Sequence, residues 1–341
     1  MSTSINAYLN SFIRSLKQSL LTKSDYSELL NTNSLEDVIK ILRDKKILET
    51  EARDLNELER SLFNRLYKLF TTIANLSMNS THAGKISKIY LNILEIRDIQ
   101  AILSSIANEK PINLAEAIFA SNSQLVQKLI NEGNSLESFS QILRNSELRE
   151  ASEFALKLFE MTKSISIFGS AMEFYLFKSI IDLIRGFQGE WRNYCNPIVC
   201  PIRDYYIVAL AYRLKHYLPQ SQMSQLANNM SCLLSKEQVE EILSTTDEEG
   251  LVNSLKRTPY LNDGILKESG NPIASLYITA RRLSREASIK AFSASPFHPC
   301  SVLAIMNLKK LETDDVIIIA NGIQVMMKPE KIKSMLSINV S

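Results

Sequence analysis

Three strongly apolar stretches each carry an aspartate at the same place. They read "LEIRDIQAI" (94–102), "CPIRDYYIV" (200–208) and "LETDDVIII" (311–319), with Asp98, Asp204 and Asp315 followed by apolar residues. Around the first, Ile86, Ile89, Tyr90, Ile93, Leu94, Ile96, Ile99, Ile102, Leu103 and Ile106 leave little polar surface. A helix apolar nearly all round lies between other elements rather than on a surface. Any charge it carries must be paired or face a polar cavity, because an unpaired buried charge costs several kcal/mol. That demand falls on Glu95, Arg97, Asp98, Arg203, Asp204, Glu312 and Asp315. For Asp98, Asp204 and Asp315 the expectation is a repeated internal ion pair or cap, with direct contact to a partner as the alternative. A unit used three times places function in the assembled object rather than in one catalytic triad.

The segments preceding these helices repeat as well. Residues 20–48, "LLTKSDYSELLNTNSLEDVIKILRDKKIL", align without a gap on 233–261, "LLSKEQVEEILSTTDEEGLVNSLKRTPYL", with nine of 29 positions identical. A weaker copy, "LVQKLINEGNSLESFSQILRN", stands at 125–145. Each reads as two short amphipathic helices around a polar turn. With only nine Gly and nine Pro in 341 residues, long helices and few hairpins are expected. The first helix should bury the stripe Ile5, Tyr8, Leu9, Phe12, Ile13, Leu16 and Leu20. "NEKPIN" and "YLPQSQ" interrupt the periodicity, dividing the chain into helical units 1–110, 111–219 and 220–341. The period of about 100 to 115 residues is far from that of helical solenoids. The expected fold is all-α, a closed trio of units.

A net charge of +2 provides no global field for nucleic acid or an anionic bilayer. The longest apolar run, "VIIIANGIQVMM", is too short to span a membrane, and no signal-peptide layout is visible; a soluble cytoplasmic protein without bilayer insertion is expected. Cys195, Cys200, Cys232 and Cys300 lack the spacing of a zinc site, and "FHPC" is a weak metal hint, so reduced structural thiols are expected. Phosphate-binding glycine loops and zinc-protease motifs are missing from the sequence, and the three histidines lie far apart. No cofactor or catalytic residue is assigned.

Candidate contact residues lie in the loops ahead of the aspartate helices, at 75–85, 186–201 and 293–299, which threefold geometry gathers on one rim. They hold Phe187, Trp191, Tyr194, Phe297 and His298, and exposed aromatic residues are common interface anchors. "ARRLSREASIK" sets Arg281 and Arg285 on one helical side, suited to an acidic partner or to solvent. Rival readings are a generic helical adaptor, an enzyme using the acid pairs Glu95/Asp98 and Glu312/Asp315, and nucleic-acid binding through 281–290.

"LLTKSDYSELL", "LEIRDIQAIL", "LKRTPYLND" and the closing "HPCSVLAIMNLKKLETDDVIIIANGI" with "KPEKIKSML" resemble the C-subunit family of V-type ATP synthases, archaeal relatives of the vacuolar ATPase d subunit. The resemblance covers almost the full length. It implies a three-lobed, funnel-shaped helical body linking rotor shaft subunits to the membrane proteolipid ring, without an active site of its own. One departure stands in the last aspartate helix, where Glu312 is followed by Thr313, Asp314 and Asp315 and the family tends to place a basic residue.

Overall fold

A computed structural model describes residues 2–49, 51–77, 81–111, 118, 122–187, 189–215, 217–218, 232–245, 247–260, 270–293 and 299–340. Among these there are fifteen α-helices and no strand. α1 (Ser2–Gln18) leads into the short pair α2 (Lys23–Leu30) and α3 (Leu35–Asp44), then the long α4 (Leu55–Ser77) and α5 (His82–Ala107). A second short pair, α6 (Gln124–Glu132) and α7 (Leu136–Arg144), precedes α8 (Arg149–Thr162), α9 (Ile165–Arg185) and α10 (Trp191–Leu214). The third, α11 (Lys236–Ser244) and α12 (Glu248–Leu255), precedes α13 (Pro272–Ala291), α14 (Cys300–Gln324) and the closing α15 (Pro329–Met335).

The short pairs start where a side chain can satisfy first-turn N–H groups. Thr22 and Ser235, aligned in sequence, cap α2 and α11, each within a reciprocal box completed by Asp25 or Gln238. Ser34, Ser135 and Asp247 cap the second helix of each pair. Along α1, Leu9 and Ile13 are buried as the stripe requires, while Tyr8 stays exposed at its edge; the Ile5 side chain lies outside what is described.

Two expectations are corrected. The segment 186–201 is not a loop throughout, because α10 begins at Trp191 and runs through Pro197 and Pro201. Each proline forfeits a helical hydrogen bond, but buried Cys195, Ile198, Val199 and Cys200 hold the turns against their neighbours. Nor are the cysteines free thiols. Cys195 is bonded to Cys300 and Cys200 to Cys232, with Cα–Cα separations of 5.2 and 5.3 Å. Partners 105 and 32 residues apart leave no spacing signal; helix packing brings them within disulfide range.

One apolar core runs through the long helices and the second and third pairs. A separate core joins the first pair, through Tyr26, Leu29, Val38 and Leu42, to Val316 and Ile319 of α14 and to Ile332 and Leu336 near the C-terminus. The two ends of the sequence therefore share one core.

Half-buried Glu173 on α9 lies near the charges of Lys310 and Asp314. Burial pushes its carboxyl up to about 7, with Lys310 opposing and Asp314 reinforcing the rise. Lys310 and Asp314 pair at 2.8 Å on α14, and the Tyr205 and Tyr277 rings, 4.6 Å apart, are both near enough to feel the charge of Glu173.

Two outcomes follow. Between about pH 4.5 and 7 the folded chain keeps a proton on Glu173 that the unfolded chain releases, so this group's contribution to stability falls as pH rises through that window. Glu173→Gln should remove that slope and raise stability well above pH 7 by up to about 3 kcal/mol in urea denaturation. Thiol titration of unreduced protein should find no free cysteine, and reduction should cost roughly 3–5 kcal/mol per bridge in the same assay.

Candidate partner interface at the helix N-termini

The charged positions of the apolar helices grip backbone. Asp98 accepts the Ile118 N–H at 2.9 Å, ahead of Ser123, which caps α6. Asp204 accepts the N–H groups of Cys232, Leu233 and Leu234 at 2.9, 2.8 and 3.1 Å, and the Tyr260 hydroxyl at 2.7 Å; Ser235 then caps α11. At the third seam Glu312 takes this part, accepting the Leu21 N–H at 2.6 Å, one residue before the Thr22 cap of α2. A carboxylate on each of α5, α10 and α14 thus holds the chain where it enters a helix pair, and the last aspartate helix holds the first pair. These are charge-assisted bonds shielded from water, the stronger class of protein hydrogen bond.

Asp315 closes the C-terminus instead. It pairs with Arg281 at 2.6 Å and Arg285 at 3.4 Å and accepts the Ser337 N–H and hydroxyl at 2.9 and 2.6 Å. Arg281 and Arg285 are only 1% and 5% exposed, so neither the partner-facing nor the solvated expectation holds for them. Their acidic partner is internal. Glu95 is buried and accepts the Tyr67 hydroxyl at 2.9 Å, and burial raises its pKa. Arg97 is exposed and pairs with Glu59 at 2.7 Å. Arg203 is buried with its guanidinium 5.9 Å from the Phe174 ring, and loss of solvent lowers its pKa to about 10.

The rim residues gather at the other end of these helices. Residues at the starts of α5, α10 and α14 line one cavity of about 180 Å³, including Thr81, His82, Trp191, Pro299 and Ser301. Thr81 caps α5, and the Cys195–Cys300 bond fixes the start of α14 against α10. Phe187 is buried, its ring edge-on to His82 at 4.8 Å and to Trp191 at 6.5 Å. Trp191 remains 41% exposed. Tyr194 lines a different cleft, of about 340 Å³, with Glu190 and Lys290. Phe297 and His298 lie outside the described residues. Three helix N-termini at one place concentrate positive dipole ends, beside the partly exposed Trp191. The arrangement suits docking rather than covalent chemistry, since the candidate acids Glu95, Asp98, Glu312 and Asp315 are all engaged in holding neighbouring groups. Among the described residues no group of three or more His, Cys, Asp or Glu is placed to hold a metal ion.

Residues 9–335 match the model of the ATP synthase (C/AC39) subunit family. The chain belongs to this family. It is 24% identical to the C subunit of the A-type ATP synthase of Methanocaldococcus jannaschii, over 97% of this chain and 86% of that protein. It is 23% identical to the corresponding C subunit of Pyrococcus abyssi, over 96% and 89%.

In this C/AC39 family member, two structural residues lie beyond the reach of sequence reasoning. Lys309 is buried within the last apolar helix, donating to Glu312 at 2.8 Å and to the Ser19 carbonyl at 3.0 Å. Tyr260, within "LKRTPYLND", carries the buried hydroxyl that reaches Asp204. An ionised residue in an aliphatic run announces that a partner exists, but not which one.

Replacing Asp204 strands three backbone N–H groups and a tyrosine hydroxyl. Asp204→Ala should destabilise the chain by about 3–5 kcal/mol, and Asp98→Ala by about 1–3 kcal/mol, in urea denaturation.

Proposed function

We propose that this chain is the C subunit of an A-type rotary ATPase, a non-catalytic part of the central stalk seated between the rotor shaft subunits and the membrane proteolipid ring. The observation that carries this reading is the family match over residues 9–335, which takes in every helix apart from the first turns of α1. Three helical lobes, 1–110, 111–219 and 220–341, form a funnel in this reading. Its support is the cyclic order in which α5, α10 and α14 hold the pairs α6/α7, α11/α12 and α2/α3.

Torque transmission requires a body that does not yield. Few glycines, buried long helices and disulfides anchoring α10 supply stiffness. The rim around Trp191 docks one neighbour by its aromatic surface, and contacts on the order of 1,000 Å² or more resist slip. No described helix is long and apolar enough to cross a membrane, in keeping with a peripheral place on the cytoplasmic side. The near-neutral net charge gives no basis for nucleic-acid binding.

The purified chain should capture both shaft subunits and the proteolipid ring in pull-down; binding to neither overturns the proposal. Trp191→Ala should weaken capture of one of the two by about tenfold or more, with the melting temperature little changed.

A further inference from the structure

A cavity of about 220 Å³ opens at the ring-closing seam, between the end of α1, the middle of α4 and the middle of α14. Its floor is the buried Lys309, its walls carry Leu62, Leu66 and Val316, and Arg65 and Lys68 stand on α4 beside it. Donors outnumber acceptors here. Lys309 offers three N–H groups and spends one on Ser19 and one on Glu312. Both oxygens of Glu312 are already engaged, one accepting from Lys309 and the other from the Leu21 N–H. Arg65 and Lys68 form no side-chain hydrogen bond or ion pair among the described residues, and Arg65 is close enough to Lys309 for the two charges to repel. The other acid of the lining, Glu49, is exposed at the mouth, where solvent screens it.

We infer that this cavity is a binding site for a phosphate group, held by Arg65, Lys68 and the third N–H of Lys309. A guanidinium fork and two ammonium groups approaching from two helices suit a tetrahedral oxyanion with several acceptor oxygens. The bound anion would offset the repulsion between Arg65 and Lys309. It would also bridge α4 to α14 across the seam where the two ends of the chain meet. The phosphate has two possible sources, a free ion or the head of an amphiphile whose tail lies along the leucine wall.

Isothermal titration of the full chain with inorganic phosphate and with hexyl phosphate, at matched ionic strength in chloride, tests this. Saturable one-to-one binding with Kd in the millimolar range or tighter is expected, and Arg65→Gln and Lys68→Gln should each weaken it about tenfold. Both side chains reach solvent, so the variants should keep the wild-type melting temperature without phosphate; should one fail to fold, the other serves. Tighter binding of hexyl phosphate assigns the leucine wall to an amphiphile's tail, and equal binding assigns the site to the free ion. No saturable binding of either probe, or affinity unchanged in the folded variants, overturns the site.

Discussion

A carboxylate that cannot reach water must find donors, and in this chain the donors are backbone N–H groups of the segments that lead into the short helix pairs. Placing Asp98, Asp204 and Glu312 on buried helices makes each helix unstable alone and stable only with a neighbour's chain seated against it. The desolvation cost becomes a positional constraint, because only one segment presents its N–H groups at the right point. Apolar packing tolerates sliding; a carboxylate receiving three N–H groups, as Asp204 does, does not. The register between each long helix and the segment it holds is set by these few polar atoms, and the surrounding aliphatic side chains then pack at that register.

The all-helical character is legible in the sequence because glycine and proline are scarce and the apolar period is helical over long stretches. The short pairs are readable for a more local reason. Thr22, Ser34, Ser135, Ser235 and Asp247 are capping residue types at aligned places, and a cap acts within its own turn. Non-local facts stay hidden. Cys195 and Cys300 meet only once α10 and α14 pack, and a rule based on compartment and spacing reads them as separate thiols. Arg281 and Arg285 have the spacing of a helical face, but spacing does not say whether the face meets water or Asp315. The start of α10 eludes sequence reasoning because Pro197 and Pro201 signal a break locally, whereas burial of the residues between and beside them decides the outcome.

In the proposed docking role, the rim divides the work between a scaffold and a contact surface. Phe187 and His82 are packed edge to face, and the Cys195–Cys300 bond fixes the helix starts around them. Trp191 rests on this support with much of its ring still exposed. A large aromatic side chain held still before binding loses little conformational freedom on contact. In a subunit that transmits force, a contact residue resting on a yielding loop would dissipate displacement before it reached the helices.

The bond between Leu21 and Glu312 spans 291 residues of chain, and the core beneath it draws on both termini. During synthesis the first helix pair emerges with its apolar face uncovered and stays so until α14 has left the ribosome. Translation at about 5–20 residues per second makes that wait tens of seconds. The sharing of one core by the two ends of the sequence thus leaves the earliest-made part dependent on the latest-made helices, a window in which chaperone protection matters most.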